Sequence, residues 1–560
     1  MARVSKHDGS RYGGVRARTR ARAYARAHTL GTTPKLLLAL AVLVALALLA
    51  PLAFLIQEAA RDGWSTLDPL LFRSLTATLL WNTISLLVVV TALCAVIGTL
   101  AAWFTERTDL PARAVWAVLV VVPVGIPDFV TGFGWKSIFH SLGGFAGATL
   151  VMTLAVYPLV YLPVAAALRN ADPTQEEVAR SLGLGRVRTF LRVTLGQTRQ
   201  AILGGCVLVA LVLLAEYGAF EILGFRTFTT EIYTEFLVGF NSPAACALSL
   251  VLVALSLCVL VTEAAARGGG RASRSGPLAA RVARPHTLGR AKLPVLAGFA
   301  VLVLLALGVP LGAILYWMIH GGSSTLPSAS IAAAALHTAL YSAAAGVIAT
   351  LAALPIALLS VRHGSRAATA LERSTYLVLA LPGIVIALAL TFFSEHYAAG
   401  LLYQSSAMLI AAYAIMFFPL ALVAVRTSVS QAPPSLEEVA RSLGCNRLQA
   451  LWRLTVPLIA PGLAAAFCLV FLEAVTELTA TLVLIPTGVQ TLATQFWAFQ
   501  SNISYGQAAP YAGVMVLIAA VPSVVLGRWF DGLPARRTAL TGRREAPAPE
   551  TAFAEAAIAR

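Results

Sequence analysis

The chain has 560 residues, of which 58% are hydrophobic and only 12% charged, with a mean hydropathy of +0.81. A soluble globular protein carries about 25% charged residues, so that class is excluded. The net charge of +16 sits in blocks beside apolar runs, which points to membrane orientation and anionic lipid; no aromatic-and-basic module accompanies it, which argues against nucleic acid.

Residues 1–35 are a basic tail, with nine Lys and Arg against one acid, Asp8. Apolar spans then fall near 36–56, 79–104, 114–134, 146–168, 201–224 and 243–264. A second set falls near 293–319, 331–360, 372–393, 403–428, 462–486 and 509–530. A bilayer crossing needs about 20 apolar residues, so the expectation is an all-α polytopic membrane protein of about twelve transmembrane helices. The first span is too long for a signal-peptide core and reads as a retained anchor. Between the halves, 36–265 and 293–530, lies the linker 266–292, with seven Lys and Arg from Arg267 to Lys292 and no acid. A tail, 531–560, closes the chain.

Every second connection is basic: the N-terminal tail, the turn with Arg107 and Arg113, the stretch Arg169 to Arg199 and the linker. The turn with Arg362, Arg366 and Arg373, the stretch Arg426 to Arg453 and the tail after Arg528 continue the pattern. The positive-inside rule places all of them, and both termini, in the cytoplasm. The six cysteines form no CxxC pair and read as small packing residues.

The octapeptide EEVARSLG, Glu176 to Gly183, returns unchanged at Glu437 to Gly444. Aligned without gaps, Thr174–Gly196 and Ser435–Pro457 agree at 11 of 23 positions, against about one or two by chance. Tyr157-Pro158 matches Phe418-Pro419 at the same spacing, as do Glu216 with Glu477, Thr230 with Thr491 and Phe236 with Trp497. Two tandem halves of like orientation are parallel repeats of six helices each.

Each repeated loop reads as a helix, a turn and a second helix. Thr174 with Glu177, and Ser435 with Glu438, have capping-box spacing. Pro173 and Pro434 stand just ahead, and Gly183 and Gly444 supply the left-handed residue that stops the helix. The second helix carries Val187, Phe190, Leu191 and Leu195 on one face, matched by Leu448, Leu451, Trp452 and Val456. Such an element either docks a partner or rests on membrane lipid; the small Ala179 and Ala440 beside exposed arginines favour docking.

At these loops the chain resembles type I ABC importer permeases, whose EAA motif runs Glu, small residue, Ala, three residues, Gly, then an Ile-x-Leu-Pro ending. Glu177, Ala179, Gly183, Val193, Leu195 and Gly196 stand at those positions, and Glu438, Ala440, Gly444, Leu454, Val456 and Pro457 in the second copy. Val178 and Val439 depart from the small residue, and Gly196 from the Pro. The resemblance implies two coupling loops, with Glu176 and Glu437 included, seated on a cytoplasmic ABC ATPase dimer. ATP and Mg would bind in that partner; no Gly-x-x-x-x-Gly-Lys-Ser/Thr loop occurs in this chain, and no catalytic residues are expected. It also implies a periplasmic or lipid-anchored solute-binding protein and a location in the inner or plasma membrane. The fused six-plus-six arrangement looks most like permeases for iron(III), with relatives for thiamine, polyamines, phosphonates and sulfate. With Gly185 and Gly196 in the first arm against Asn446 and Pro457 in the second, the second arm is expected to be the stiffer.

Ionisable groups inside spans are costly and mark function by default. Glu216 and Glu477 occupy matching positions and are the candidates for a substrate pathway, the alternative being pairing with hydroxyls such as Thr476 and Thr479. The trio Glu395-His396-Tyr397 is expected on an outer loop, and no metal site is assigned. A competing class is a twelve-helix carrier driven by an ion gradient, which has no use for the duplicated loop.

Overall fold

The computed structural model describes residues 35–171, 174–266, 285–321, 328–363, 365–398, 400 and 402–520. The N- and C-terminal tails, most of the linker, residues 521–530 of the last expected span and Pro173 lie outside the described residues. Apart from one β-bridge between Thr108 and His286, the regular elements described are helical.

The first half runs α1 (Lys35–Asp62), α2 (Ser74–Arg107), α3 (Arg113–Gly125), α4 (Asp128–Ile138), α5 (Gly144–Asn170) and α6 (Thr174–Ser181). It continues with α7 (Val187–Ala215), α8 (Gly218–Leu223), α9 (Phe228–Tyr233) and α10 (Ser242–Glu263). The second half repeats the order as α11 (Gly289–His320), α12 (Ala329–His363), α13 (Arg366–Ala380), α14 (Gly383–Tyr397), α15 (Ser406–Gln431) and α16 (Pro434–Ser442). Then come α17 (Leu451–Val475), α18 (Thr479–Leu484), α19 (Leu492–Ser501) and α20, described over 505–520. Among the described residues nine helices are long and apolar enough to cross a membrane. The α3/α4 and α13/α14 pairs, bent by 93° and 102°, raise the number to eleven if each pair is one span, and α20 stands where the twelfth is expected.

The bends have a local cause. The residue before a proline is pushed out of the helical region, and Ile126 (ψ 125°) and Leu381 (ψ 103°) are extended before Pro127 and Pro382. Each proline then stands at the N-cap of the next helix, where its missing N–H costs nothing. The fifth span of each half also breaks: α7 ends at Ala215 before an extended Glu216 (ψ 133°), and α17 ends at Val475. The sequence reading ran both spans unbroken, to 224 and 486. Interrupted backbone at membrane depth is tolerated only inside protein or along a cavity, so four breaks point inward.

The halves exchange their first helices. Ala41, Leu48 and Leu55 of α1 belong to a core built largely from α12, α14 and α15 of the second half. Conversely, Phe299 and Ala306 of α11 lie in the core of α2, α5 and α7. Lipid tails are as apolar as these side chains, so close packing rather than water exclusion holds such contacts. At the α4–α11 crossing a Cβ on Gly134 would lie 2.6 Å from the Pro310 Cα, so no larger residue fits. A third core, with Phe129, Phe133, Leu478, Phe496 and Tyr511, joins the halves at the centre.

The register between halves changes along the chain. Pro127 matches Pro382 at a spacing of 255, and the EEVARSLG loops match at 261. Capping boxes at Thr227–Thr230 and Thr491–Thr494 set it at 264 for α9 and α19. Thr230 therefore corresponds to Thr494 rather than Thr491, and Trp497 to Tyr233 rather than Phe236; Tyr217 contacts both of those rings.

Candidate functional site

The duplicated loops form two matching arms. Gly183 (φ 86°) and Gly444 (φ 93°) adopt the left-handed conformation expected of them. Behind each, the closing bond runs from the Leu184 N–H to the Ala179 carbonyl and from the Cys445 N–H to the Ala440 carbonyl, both 3.1 Å. No atom lies within 4 Å of a Cβ placed on either glycine, so backbone geometry alone selects glycine there.

The second arm does not use its expected capping box. Helix α16 begins a residue early, at Pro434, with Pro433 at the N-cap, so Ser435 is already inside it. Helix α6 begins at Thr174, and Pro173 ahead of it lies outside the described residues. The first glutamate of each pair turns back onto its own span instead. Glu176 accepts a hydrogen bond from Thr194 Oγ1 (3.0 Å), and Glu437 from Thr455 Oγ1 (2.9 Å). The second glutamate, Glu177 or Glu438, is exposed. Each arm joins its span through one π-helical turn, Phe190–Thr194 and Leu451–Thr455, a feature that marks functional joints in helices.

The outward surface of the arms is apolar. Leu182 and Leu443 are each 79% exposed, and Val178, Val439, Val187, Leu191 and Trp452 are exposed as well. Ala179 is buried and Ala440 half-buried. The side chain of Leu448 lies outside the described residues. Repeated apolar exposure beside an accessible acid is the profile of an interaction surface.

Charges anchor the arm bases. Arg362, at the end of α12, contacts Glu437 Oε1 at 3.0 Å and donates to the Ala432 carbonyl at 2.9 Å. Its counterpart Arg107, at the end of α2, donates to the Ala171 carbonyl at 3.3 Å. Glu176 is met by the linker residue His286, whose Nε2 lies 3.6 Å from Glu176 Oε2. Burial pushes the Glu176 carboxyl up, but the His286 hydrogen bond, the Arg107 charge and the Thr194 hydroxyl outweigh it. The carboxyl therefore sits below its usual range.

The four helix breaks converge on a cavity of about 240 Å³ between the halves. Asp128, Glu216, Glu473 and Glu477 line it, with Gly218, Gly383, Met416 and Phe417 among the remaining walls. Glu216 Oε1 accepts from the Ala219 N–H (2.7 Å), and Glu477 Oε1 from the Ala480 N–H (2.8 Å). Each acid thus satisfies the start of the short helix that follows it. The partners are backbone amides rather than hydroxyls: Thr476 bonds to the Leu472 and Glu473 carbonyls. Among the described residues, no three His, Cys, Asp or Glu side chains converge closely enough to hold a metal ion. His396 bonds to the Phe392 carbonyl, and Tyr397 meets Arg61 of α1, so that trio ends a helix rather than forming a free loop.

Sequence reasoning paired Glu216 with Glu477 and took Arg107 and Arg362 only as marks of orientation; it gave no role to Asp128 or His286. An acid directly after the proline of the third span was a readable sign for Asp128.

Comparison with known proteins follows the same two-part division. A family model described as "binding-protein-dependent transport system inner membrane component" matches residues 95–266 and again 347–539. The Fe(3+)-transport system permease protein FbpB 2 of Haemophilus influenzae is 37% identical over 493 residues, covering 88% of this chain and 97% of its own. The ferric transport system permease protein FbpB of Actinobacillus pleuropneumoniae is 22% identical over 76% of this chain and 67% of its own. The sulfate transport system permease protein CysT of Salmonella typhimurium is 31% identical over 30% of this chain and 67% of its own.

Proposed function

The chain belongs to the family of binding-protein-dependent transport system inner membrane components, and from that premise we propose that it is the fused permease of an ABC importer whose cargo is iron(III). It is a multi-pass inner-membrane transport component rather than an enzyme. Both termini and both arms face the cytoplasm. A pair of ATPase subunits, which bind ATP and Mg, dock on the arms at Glu177, Gly183 and their counterparts Glu438 and Gly444, with Ala179 and Ala440 packed behind that surface. An extracytoplasmic solute-binding protein delivers the cargo on the other side.

The observation that carries this reading is the pair of arms, alike in left-handed glycine, exposed leucine, threonine-tied glutamate and π-helical joint. A two-fold partner needs two such sockets. Closure of the ATPase pair swings the arms, and the interhalf cavity opens to one side or the other. Glu216 and Glu477, with Asp128 and Glu473, give that cavity the sign that attracts a cation. Four carboxyl groups without a coordination cage attract a cation without trapping it, as conduction requires. An anion such as sulfate would meet the wrong sign.

Proteoliposomes containing the chain, its ATPase and its binding protein test this directly. Uptake of radioactive iron is expected only with ATP on the arm side and binding protein on the other. Uptake by the chain alone under an ion gradient would make it a carrier instead.

A further inference from the structure

Each arm is fastened to the second span of its half by buried groups that the family motif does not contain. On the second arm, Arg362 holds both the Glu437 carboxylate and the Ala432 carbonyl at the arm's entry, at 3.0 and 2.9 Å, with its side chain only 5% exposed. On the first arm, Arg107 holds the Ala171 carbonyl, which occupies the position of Ala432 in the repeat. Arg362 thus pairs by charge with the Glu437 carboxylate through Nη2 while Nη1 donates to the Ala432 carbonyl, so one buried guanidinium bridges the arm's entry and its first helix.

The arms differ in one respect. The segment entering the second half runs back along the first arm. His286 donates its N–H to the Arg107 carbonyl (2.8 Å) and accepts at its own carbonyl from the Asp109 N–H (3.0 Å). The Leu288 N–H bonds to Asp109 Oδ1 at 2.7 Å, and Lys292 pairs with Asp109 Oδ2 at 2.8 Å. The His286 ring stands between Trp103 of α2 and the α6 residues Glu176 and Arg180, and Arg180 donates to it. Among the described residues nothing equivalent reaches the second arm, and the Glu437 side chain is 21% exposed against 7% for Glu176.

We propose that Arg107 and Arg362 are positioning residues that transmit arm motion to the second span of each half, and that His286 is an additional fastener on the first arm alone. The two arms are then unequal mounts for a two-fold partner: the first is tied to the strand of chain that leads into α11, and the second turns on one arginine. The functional part rests on the arms being ATPase sockets; the fastening itself does not.

The test uses the full chain, reconstituted in nanodiscs with and without its ATPase and binding protein. Without the ATPase, Arg362→Ala should speed amide exchange in 435–445 severalfold and leave 174–184 unchanged, and His286→Ala should do the reverse. In the complete system, Arg362→Ala should lower the iron moved per ATP hydrolysed about tenfold while ATPase affinity stays near wild type. Arg362→Lys, which keeps the charge without the fork, should recover only part of that ratio. His286→Gln, which keeps a hydrogen-bonding group, should restore exchange protection lost in His286→Ala even if the alanine variant is poorly folded. Unchanged exchange and an unchanged transport ratio in Arg362→Ala and His286→Ala would overturn the fasteners. Full ATPase affinity for a chain carrying Leu182→Asp and Leu443→Asp would overturn the sockets and leave the fastening intact.

Discussion

At Gly183 and Gly444 the requirement is backbone geometry alone, since open space surrounds both positions. A left-handed residue with a Cβ costs about 1–2 kcal/mol, and asparagine is the side chain that tolerates it best. Gly444→Val should therefore weaken ATPase binding about tenfold or more, and Gly444→Asn much less, in a titration against the purified ATPase. Glu216 and Glu477 make the same amide contact that glutamine can make, so the double change Glu216→Gln and Glu477→Gln keeps the fold and removes the charge. Iron uptake should fall about tenfold, a loss near 1.4 kcal/mol, with thermal stability held within a few degrees; unchanged uptake would remove both residues from the pathway. Glu176 carries a pH consequence of known sign. Its folded value lies below the ordinary 4.5, so its contribution is complete above that pH and is lost as pH falls through the depressed value. These groups were half legible. The glycines and the paired glutamates stood out because repetition marked them, but the direction Glu176 takes did not, because its partner Thr194 lies 18 residues downstream.

Among the elements, the arms and the bent spans behave differently from what periodicity suggests. The arm's second helix is better capped in the second copy: Asn446 Oδ1 accepts from the Gln449 N–H (2.7 Å), and Gln449 Oε1 from the Asn446 N–H (3.1 Å). The arm's first helix is better buried in the first copy. Stiffness is thus divided between arms rather than concentrated in the second, as the glycine count suggested. The exposed leucines give a prediction at this scale: Leu182→Asp or Leu443→Asp should each weaken ATPase docking without shifting the melting temperature of the chain alone, because neither is buried. Span positions were legible from hydropathy, but the sharp turns at Pro127 and Pro382 were not. A proline in an apolar run marks only a probable boundary, and here the span resumes at once in another direction.

Across the whole molecule, the tandem repeat was visible in sequence and the exchange of first helices was not. No local pattern records which half a helix leans on, since α1 and α11 are apolar all round and either half offers an apolar face. The exchange predicts that the chain can be cut. Residues 1–275 and 276–560, produced together, should purify as one complex that retains iron uptake, whereas 1–275 produced alone should be degraded or aggregate. Failure of the two pieces to associate would contradict the crossed packing. The cut falls in the linker, ahead of the His286 segment, so both fastened arms survive it.

The crossed packing also sets a timetable for synthesis. Helix α1 leaves the ribosome with much of its partner surface still unmade, because α12, α14 and α15 come later in the chain. Some 350 residues separate the start of α1 from the start of α14, which at about 5–20 residues per second is roughly 20–70 seconds of translation. For that interval α1 sits in the bilayer beside a core that cannot yet close. Fusing both halves into one polypeptide shortens the wait from a chance encounter between two products to the length of a single reading frame.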